Sequence, residues 1–212
     1  MNTILQYSIE RSGSTLVTQM LMKLFPTIKI RKTHTFNDNI NYPIVSTYRD
    51  FRDVMVSQWR VSEDISLEDL DNGRIMCADE VKKFLKILIS RIDEFNHMYE
   101  VYNTNLIVLQ YEKFINNYDY IFDELECFFN TTFDAQLRHE IIQYTNLDIN
   151  IERAQKFKSF HNKNWDKTTL IHGLHIYKRG QPGVWKQLVP SDQYEYVNSY
   201  LKKYLIQWGY EV

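Results

Sequence analysis

Tyr7-Ser8-Ile9-Glu10-Arg11-Ser12-Gly13-Ser14-Thr15-Leu16 follows the apolar opening Met1 to Gln6 and leads into a run with helical apolar spacing. The order is strand end, tight loop, helix start. Met1 to Tyr7 reads as a first strand, and Leu16 to Phe25 reads as a helix stopped by Pro26. Gly13 permits backbone angles that other residues resist, and Ser12, Ser14 and Thr15 are natural helix-start residues. Such a loop aims several free N–H groups at one point, and the helix dipole adds positive potential there. It is a cradle for phosphate or sulfate.

Composition sets the frame around this loop. With 212 residues, 44% of them hydrophobic, the chain can bury one substantial core, so we expect a single domain over residues 1–212. A net charge of −2 argues against broad nucleic-acid affinity, so basic residues count by position and not by number. Cys77 and Cys127 are far apart and flank apolar stretches, which predicts two reduced, packed thiols rather than a disulfide. No apolar run approaches the roughly 20 residues of a membrane span, and no signal peptide is visible. The expectation is a soluble, cytoplasmic protein.

Strand-like and helical segments alternate along the chain. Thr27 to Ile30 and Pro43 to Tyr48 read as strands, Asp50 to Arg60 as a helix, and Arg60 to Cys77 as an acidic irregular stretch, either a solvated loop or a lid. Glu80 to Tyr102 has helical periodicity, with Val81, Phe84, Leu85, Leu88, Ile92 and Phe95 along one stripe. Leu106 to Leu109 reads as a buried strand, and helical patterns follow over Ile121–Phe129 and Asp134–Tyr144. Strands joined by helical crossovers imply an α/β fold, a central parallel sheet with helices on both faces. Neither a repeat nor a linker divides the chain.

Two further segments have anion-handling chemistry. In Tyr48 to Ser57, Arg49 stands at a strand tip, where open parallel sheets bind ligands. Asp53 and Ser57 follow at steps of four and share its helix face. A guanidinium fork and a hydroxyl together suit a phosphate monoester, while a surface helix with an Arg49–Asp53 pair is the plainer outcome. In Lys178 to Lys186, two cations precede Gly180 and Gly183 in a basic loop able to fold over an anion or simply to stay solvated.

These segments, in this order, resemble the sulfotransferases that use 3′-phosphoadenosine 5′-phosphosulfate (PAPS). Glu10 to Thr15 is similar to the family's 5′-phosphosulfate loop, Tyr48 to Ser57 to its 3′-phosphate motif, and Lys178-Arg179-Gly180 with Gly183, Trp185 and Lys186 to its closing loop. Lys32-Thr33-His34 matches the tripeptide in which cytosolic members carry a catalytic His. Tyr111-Glu112 and the helix end at Thr145 resemble segments near the adenine. The resemblance spans nearly the whole chain and implies a P-loop-like fold binding PAPS, with adenosine 3′,5′-bisphosphate as product and no metal. It implies Arg11, Ser12, Gly13, Ser14, Thr15, Arg49, Ser57, Tyr111, Thr145, Lys178, Arg179 and Gly180 as donor-binding residues. The acceptor expected is a small intracellular alcohol, phenol, lipid or saccharide, with an amine as a variant.

Sulfuryl transfer needs a base for the acceptor hydroxyl and a cation for the leaving phosphate. His34 is the candidate base; its plainer role is that of a loop His capping a backbone group. Arg11 is the candidate for the leaving group; it stands where cytosolic members carry Lys, and its plainer role is a salt bridge with Glu10. His97, His139, His161, His172 and His175 have no matching context and read as structural or solvated, and His172 with His175 makes no convincing metal site. Leu16 replaces a Trp that the family stacks on adenine, which leaves Tyr111, Trp185, Phe36 or Trp59 for that role. The segment between Phe25 and His34 is shorter than in animal enzymes. Some branches use a carboxylate base, which here means Glu10 or an acid between Glu63 and Asp71. A P-loop kinase would need Gly-x-x-x-x-Gly-Lys-Ser/Thr, and both the upstream Gly and the Lys are missing. A catalytically inactive nucleotide-binding module is the remaining alternative.

Overall fold

Alternating side chains send strand residues into two cores, and that alternation organises the chain. A computed structural model describes residues 2–36, 40–161 and 165–212. Four strands, β1 (Thr3–Tyr7), β2 (Lys29–Thr33), β3 (Ile44–Tyr48) and β4 (Leu106–Gln110), form one wholly parallel sheet in the order β2-β1-β3-β4. Ile4 and Val45 point to one face; Leu5, Tyr7 and Ile44 point to the other. The first face is covered by α1 (Ser14–Leu24), α6 (Asp119–Phe129) and α7 (Ala135–Thr145), through Val17, Met20, Leu21, Ile121, Phe122, Leu125 and Ile141. The second is covered by α2 (Phe51–Ser62), α4 (Ala78–Tyr102) and α10 (Tyr194–Gln207), through Val54, Met55, Phe84, Leu88, Phe95, Leu201 and Leu205. This is the α/β architecture that the alternation of segments implies.

The remaining helices are short: α3 (Leu67–Asp71), α5 (Tyr111–Phe114), α8 (Leu147–Gln155) and α9 (Trp185–Leu188). Of these, α3 corrects the reading of Arg60 to Cys77 as irregular. Ser66 and Asp69 form a reciprocal capping box, each side chain accepting from the other's backbone N–H at 3.0 Å, and Leu70 is buried. The second strand also lies later than its apolar residues indicate. Ile28 N–H closes a turn on the Phe25 carbonyl (3.0 Å), and the strand proper continues through Arg31, Lys32 and Thr33. It is an edge strand with an exposed side, so polar residues cost little there. Met1, assigned to the first strand, lies outside the described residues. Cys77 and Cys127 are free, as expected, but both are exposed and not packed; Cys77 sits at the N-terminus of α4.

All four strands point their C-terminal ends the same way. From β1 the chain passes through α1 to β2 on one side, then crosses to β3 on the other. The crevice outside β1 and β3 is therefore the point at which strand order reverses, where open parallel sheets bind ligands.

Candidate active site

A cavity of about 520 Å³ opens at that reversal point, a volume suited to a small-molecule ligand. Its floor is the loop after β1. Arg11 (φ 70°) and Gly13 (φ 89°) both take the left-handed conformation, which turns the chain sharply into α1. Gly13 is sterically required: a Cβ there would lie 2.7 Å from the rings of Tyr111 and Phe114. Ser12 is fully buried below the loop, its hydroxyl donating to the Ile9 carbonyl (2.7 Å) and sharing a bond with Thr47 (2.8 Å). Its side chain thus holds the loop's shape, whereas Arg11, Gly13, Ser14 and Thr15 line the cavity.

Arg11 does not pair with Glu10. Its Nε donates to Ser57 Oγ (3.0 Å), its Nη2 to the His175 carbonyl (2.6 Å), and its guanidinium lies 5.2 Å from the centre of the Phe160 ring. These are neutral partners. Burial, then the Arg60 and Arg49 cations, lower its affinity for its proton to a pKa of about 9. Glu10 lines the cavity too, but its carboxylate is held by Arg91 (3.7 Å) and Gln58 (3.4 Å).

The edge strand β2 supplies Lys32, and His34 follows directly at its C-terminal end. Period-two alternation puts Lys32 and His34 on the same side, and both line the cavity. Lys32 Nζ donates to Thr15 Oγ1 (2.8 Å); burial, then Arg11, pushes its pKa down to about 7. His34 Nδ1 lies 2.7 Å from the Ser8 carbonyl, which can only accept, so Nδ1 carries the proton. The imidazole does cap a backbone group, and doing so leaves Nε2 with its lone pair. Burial, then the Lys32 cation, keeps His34 below its usual 6.5, hence neutral and able to take a proton at neutral pH.

Helix α2 forms another wall. Asp50 caps it by accepting from Arg52 N (2.9 Å). Arg49 pairs with Asp53 (3.3 Å), donates to the Gln181 carbonyl (3.1 Å) and stacks 4.4 Å from the centre of the Tyr111 ring. Its Nε is buried without a hydrogen-bond partner. Asp53 is fully engaged, accepting also from the backbone of Gly183 (2.7 Å) and Trp185 (2.9 Å). Arg49 and Ser57 line one cavity as their spacing implied, but Ser57 is held by Arg11. The surface-helix outcome for this segment is excluded: Arg49, Asp50, Arg52 and Asp53 are all buried.

Tyr111, Tyr118, Thr145, Leu147 and Gly180 contribute to the remaining wall, where Tyr111 Oη donates to the Gly180 carbonyl (2.7 Å). Thr145 spends its hydroxyl on the Ile141 carbonyl (2.7 Å). The basic loop is divided. Gly180 lines the cavity, while Arg179 pairs with Asp148 (2.7 Å) and Lys178 reaches Gln187, and neither cation reaches the lining. Of the aromatics weighed for adenine stacking, Tyr111 alone lines the cavity; Trp59, Trp185 and Phe36 pack elsewhere.

Sequence reasoning passed over four polar residues here: Lys32, Arg60, His172 and His175. His172 and His175 are neither solvated nor remote. His172 is sandwiched between Phe160 (4.6 Å, 20°) and Trp165 (4.6 Å, 11°). Burial, then Arg11 and Lys32, hold His175 well below 6.5. Lys32 could have been found from its place two residues before His34, and Arg60 from its place one helical turn beyond Ser57; the two histidines depend on tertiary contacts with no local signature. Among the described residues, no group of three His, Cys, Asp or Glu is placed to hold a metal ion. None of the described helices is long and apolar enough to cross a membrane.

Comparisons with known proteins agree with the fold. The model of the sulfotransferase domain matches residues 21–209, so the match begins after the N-terminal anion loop. A search of curated proteins returned no match. The fold is similar to mouse sulfotransferase SULT7A1 complexed with PAP, at a TM-score of 0.71 and 12% identity, covering 96% of this chain and 84% of that one. It is also similar to retinol dehydratase with androsterone and inactive cofactor PAP (TM-score 0.66, 12% identity, 96% and 80% coverage). A complex of retinol dehydratase with retinol and PAP gives 0.68 and 11%, with 96% and 81% coverage.

Proposed function

The chain belongs to the sulfotransferase domain family, and from that premise we propose that it moves a sulfuryl group from PAPS to a hydroxyl of a small acceptor. The observation that carries the reading is the convergence of Arg11, Lys32 and Arg49 on one cavity whose two acids, Glu10 and Asp53, are already engaged. Cations held together while their desolvation lowers the pKa of Arg11 and Lys32 constitute a site waiting for a polyanion. The buried, unpartnered Nε of Arg49 fits the same ligand, since a phosphate oxygen there would supply the missing acceptor.

When bound, the donor supplies an activated sulfuryl group, and the protein's part is to position and to move charge. Arg49, with Ser57, holds the 3′-phosphate. The Gly13–Thr15 turn with Arg11 and Lys32 holds the phosphosulfate end, and the Arg11 guanidinium stabilises the charge that develops on the departing phosphate. His34 Nε2, its tautomer fixed through Nδ1, takes the acceptor's proton as the new S–O bond forms. Tyr111 lies against the adenine. Arg179 would join only after release of Asp148, and Lys178 only after release of Gln187; Gly180 already stands at the cavity. The acceptor class is a small molecule, and the hydrophobic lining from Val56, Leu188, Val184 and Ile176 is consistent with one.

Titration calorimetry with adenosine 3′,5′-bisphosphate, run without magnesium beside ATP with magnesium, tests the donor assignment. The bisphosphate is expected to bind without the metal and ATP–Mg to bind weakly. The reverse order would replace this reading with a kinase-like one. Turnover of a labelled sulfate donor then separates an enzyme from an inactive binding module.

A further inference from the structure

Among the described residues, no hydrogen-bonding or acidic group answers Arg60, a cation of this cavity. It lies on α2 three residues beyond Ser57 and is 2% exposed. Its Nη1 is buried with no hydrogen-bond partner, and among the described residues no carboxylate stands within ion-pair distance. Its recorded neighbour is the Tyr177 ring, 5.7 Å from the guanidinium to the centroid. A buried guanidinium with an empty donor position is costly, because it gives up hydration without a replacement. The protein keeps it facing a ligand cavity, which is where a partner from outside would arrive.

Position separates Arg60 from Arg49, the cation assigned to the far, 3′-phosphate end of the donor, and leaves it near Arg11, where the sulfuryl group would be handed over. Arg49 is anchored through Asp53, and at 1.5 Å per residue Arg60 lies about 10 Å further along α2. Tyr177 and His175 line the cavity near Arg60, and the stack Phe160–His172–Trp165, whose adjacent centroids are 4.6 Å apart, lines it beside Arg11. The stack offers aromatic surface against which a planar molecule can lie.

We propose that the acceptor is itself an anion: a hydroxyl compound carrying a carboxylate, sulfate or phosphate that ion-pairs with Arg60. The inference rests on the sulfotransferase reading and narrows its acceptor class. It explains why the wall holds a fourth cation when three already face the donor. A guanidinium presents a planar fork that takes two oxygens of such a group at once, so the acceptor would be oriented as well as attracted.

The test uses matched pairs that differ only in charge: 4-hydroxybenzoate with 4-hydroxybenzamide, and 3-(4-hydroxyphenyl)propanoate with its amide. For the wild type, the acid of a pair is expected to exceed its amide by about tenfold or more in kcat/KM, the range of a well-formed charge-assisted pair. Arg60→Met should abolish that preference mainly by raising KM for the acid, and Arg60→Lys should restore part of it. Bisphosphate affinity, measured on the same preparations, should stay within about threefold of wild type, since Arg60 faces the acceptor end. That titration also confirms that each variant is folded. If the pairs show no turnover, acid and amide are titrated into the bisphosphate complex, and preference for the acid is read there.

If the wild type fails to bind bisphosphate, the sulfotransferase reading falls and takes this inference with it. Bisphosphate bound normally, with amide and acid used or bound alike, overturns the inference alone. It is also overturned if Arg60→Met weakens bisphosphate as much as it weakens the acids, because Arg60 then belongs to the donor.

Discussion

Lys32 offers the sharpest test of how this cavity handles charge. Its ammonium is crowded by burial and by Arg11, so the free protein holds it with a pKa of about 7. At pH 8 about nine-tenths of the molecules carry it neutral, and at pH 7 about half do. A phosphate placed at the loop reverses the balance. At an effective dielectric of 20, one unit charge about 4 Å away contributes about 4 kcal/mol, and raising the pKa by two units takes only about 2.7 kcal/mol. Lys32 is then mostly charged in the complex at pH 8, and binding adenosine 3′,5′-bisphosphate takes up about 0.8 proton per site, against about 0.5 at pH 7. The phosphate groups add little at pH 8, because their second ionisation near 6 is complete.

The measurement is calorimetry at pH 8 in Tris and in a buffer of low ionisation enthalpy, where the slope of observed enthalpy against ionisation enthalpy counts protons. Lys32→Met should remove the uptake; His34→Ala should retain it. An uptake below about 0.2 proton in the wild type, or one that survives Lys32→Met, would refute the reasoning, because the cation would then be charged beforehand or uninvolved.

Arg49→Ala should weaken bisphosphate binding by about 2 kcal/mol or more, read by the same titration; unchanged affinity would remove Arg49 from the donor site. His34→Ala should slow transfer by roughly 10²-fold while bisphosphate still binds, as single-turnover rates and titration would show together. In the wild type the acid limb of kcat/KM should have its midpoint below 6.5, since His34 works in its neutral form and its pKa is lowered; a midpoint above 6.5 would contradict this environment. His175 is held well below 6.5 when folded, so the unfolded chain protonates first: its neutral form costs no stability above 6.5, and stability is lost as pH falls from there toward the folded value. Chemical denaturation between pH 7 and 5 should show that loss, and His175→Asn should flatten it by up to about 1.4 kcal/mol per pH unit. Lys32→Met should stabilise the free protein by on the order of 1 kcal/mol, seen as a higher melting temperature, while weakening bisphosphate binding; a lower melting temperature would show that the Thr15 bond outweighs the crowding.

Local chemistry made the sheet and most helices legible. The β-branched run from Ile44 to Tyr48, buried along nearly its whole length, and the stripe from Val81 to Phe95 specify their elements whatever lies opposite them. The anion loop was legible for the same reason: Gly13 and the following hydroxyls determine a turn and a helix start within four residues. Partnerships set by tertiary contact were not. Nothing in residues 178–180 shows that Asp148 would hold Arg179, and nothing near Arg60 shows that a guanidinium would be buried without an acid. His172 and His175 reach the cavity because the segment from Trp165 to Tyr177 lines it, and a histidine's surroundings, not its spacing, decide its role. Lys32 lies between these cases, since strand alternation alone places it beside His34.

The crowding also bears on why position 11 carries arginine. Burial and neighbouring cations lower Arg11 from 12.5 to about 9, which leaves it charged at neutral pH. The same displacement applied to a lysine, starting from 10.5, would end near 7, where Lys32 already sits. Two lysines in this loop would each depress the other, and one would be neutral in the free protein, so the site would need to gather a further proton for every anion it bound. A guanidinium escapes that limit because its ionisation starts higher and its charge is spread over a planar fork. One lysine that titrates and one arginine that does not give the loop a permanent attraction for the donor. The structural cost is a left-handed backbone at both Arg11 and Gly13, which glycine adopts freely and arginine adopts because Ser57 and the His175 carbonyl hold its side chain in place.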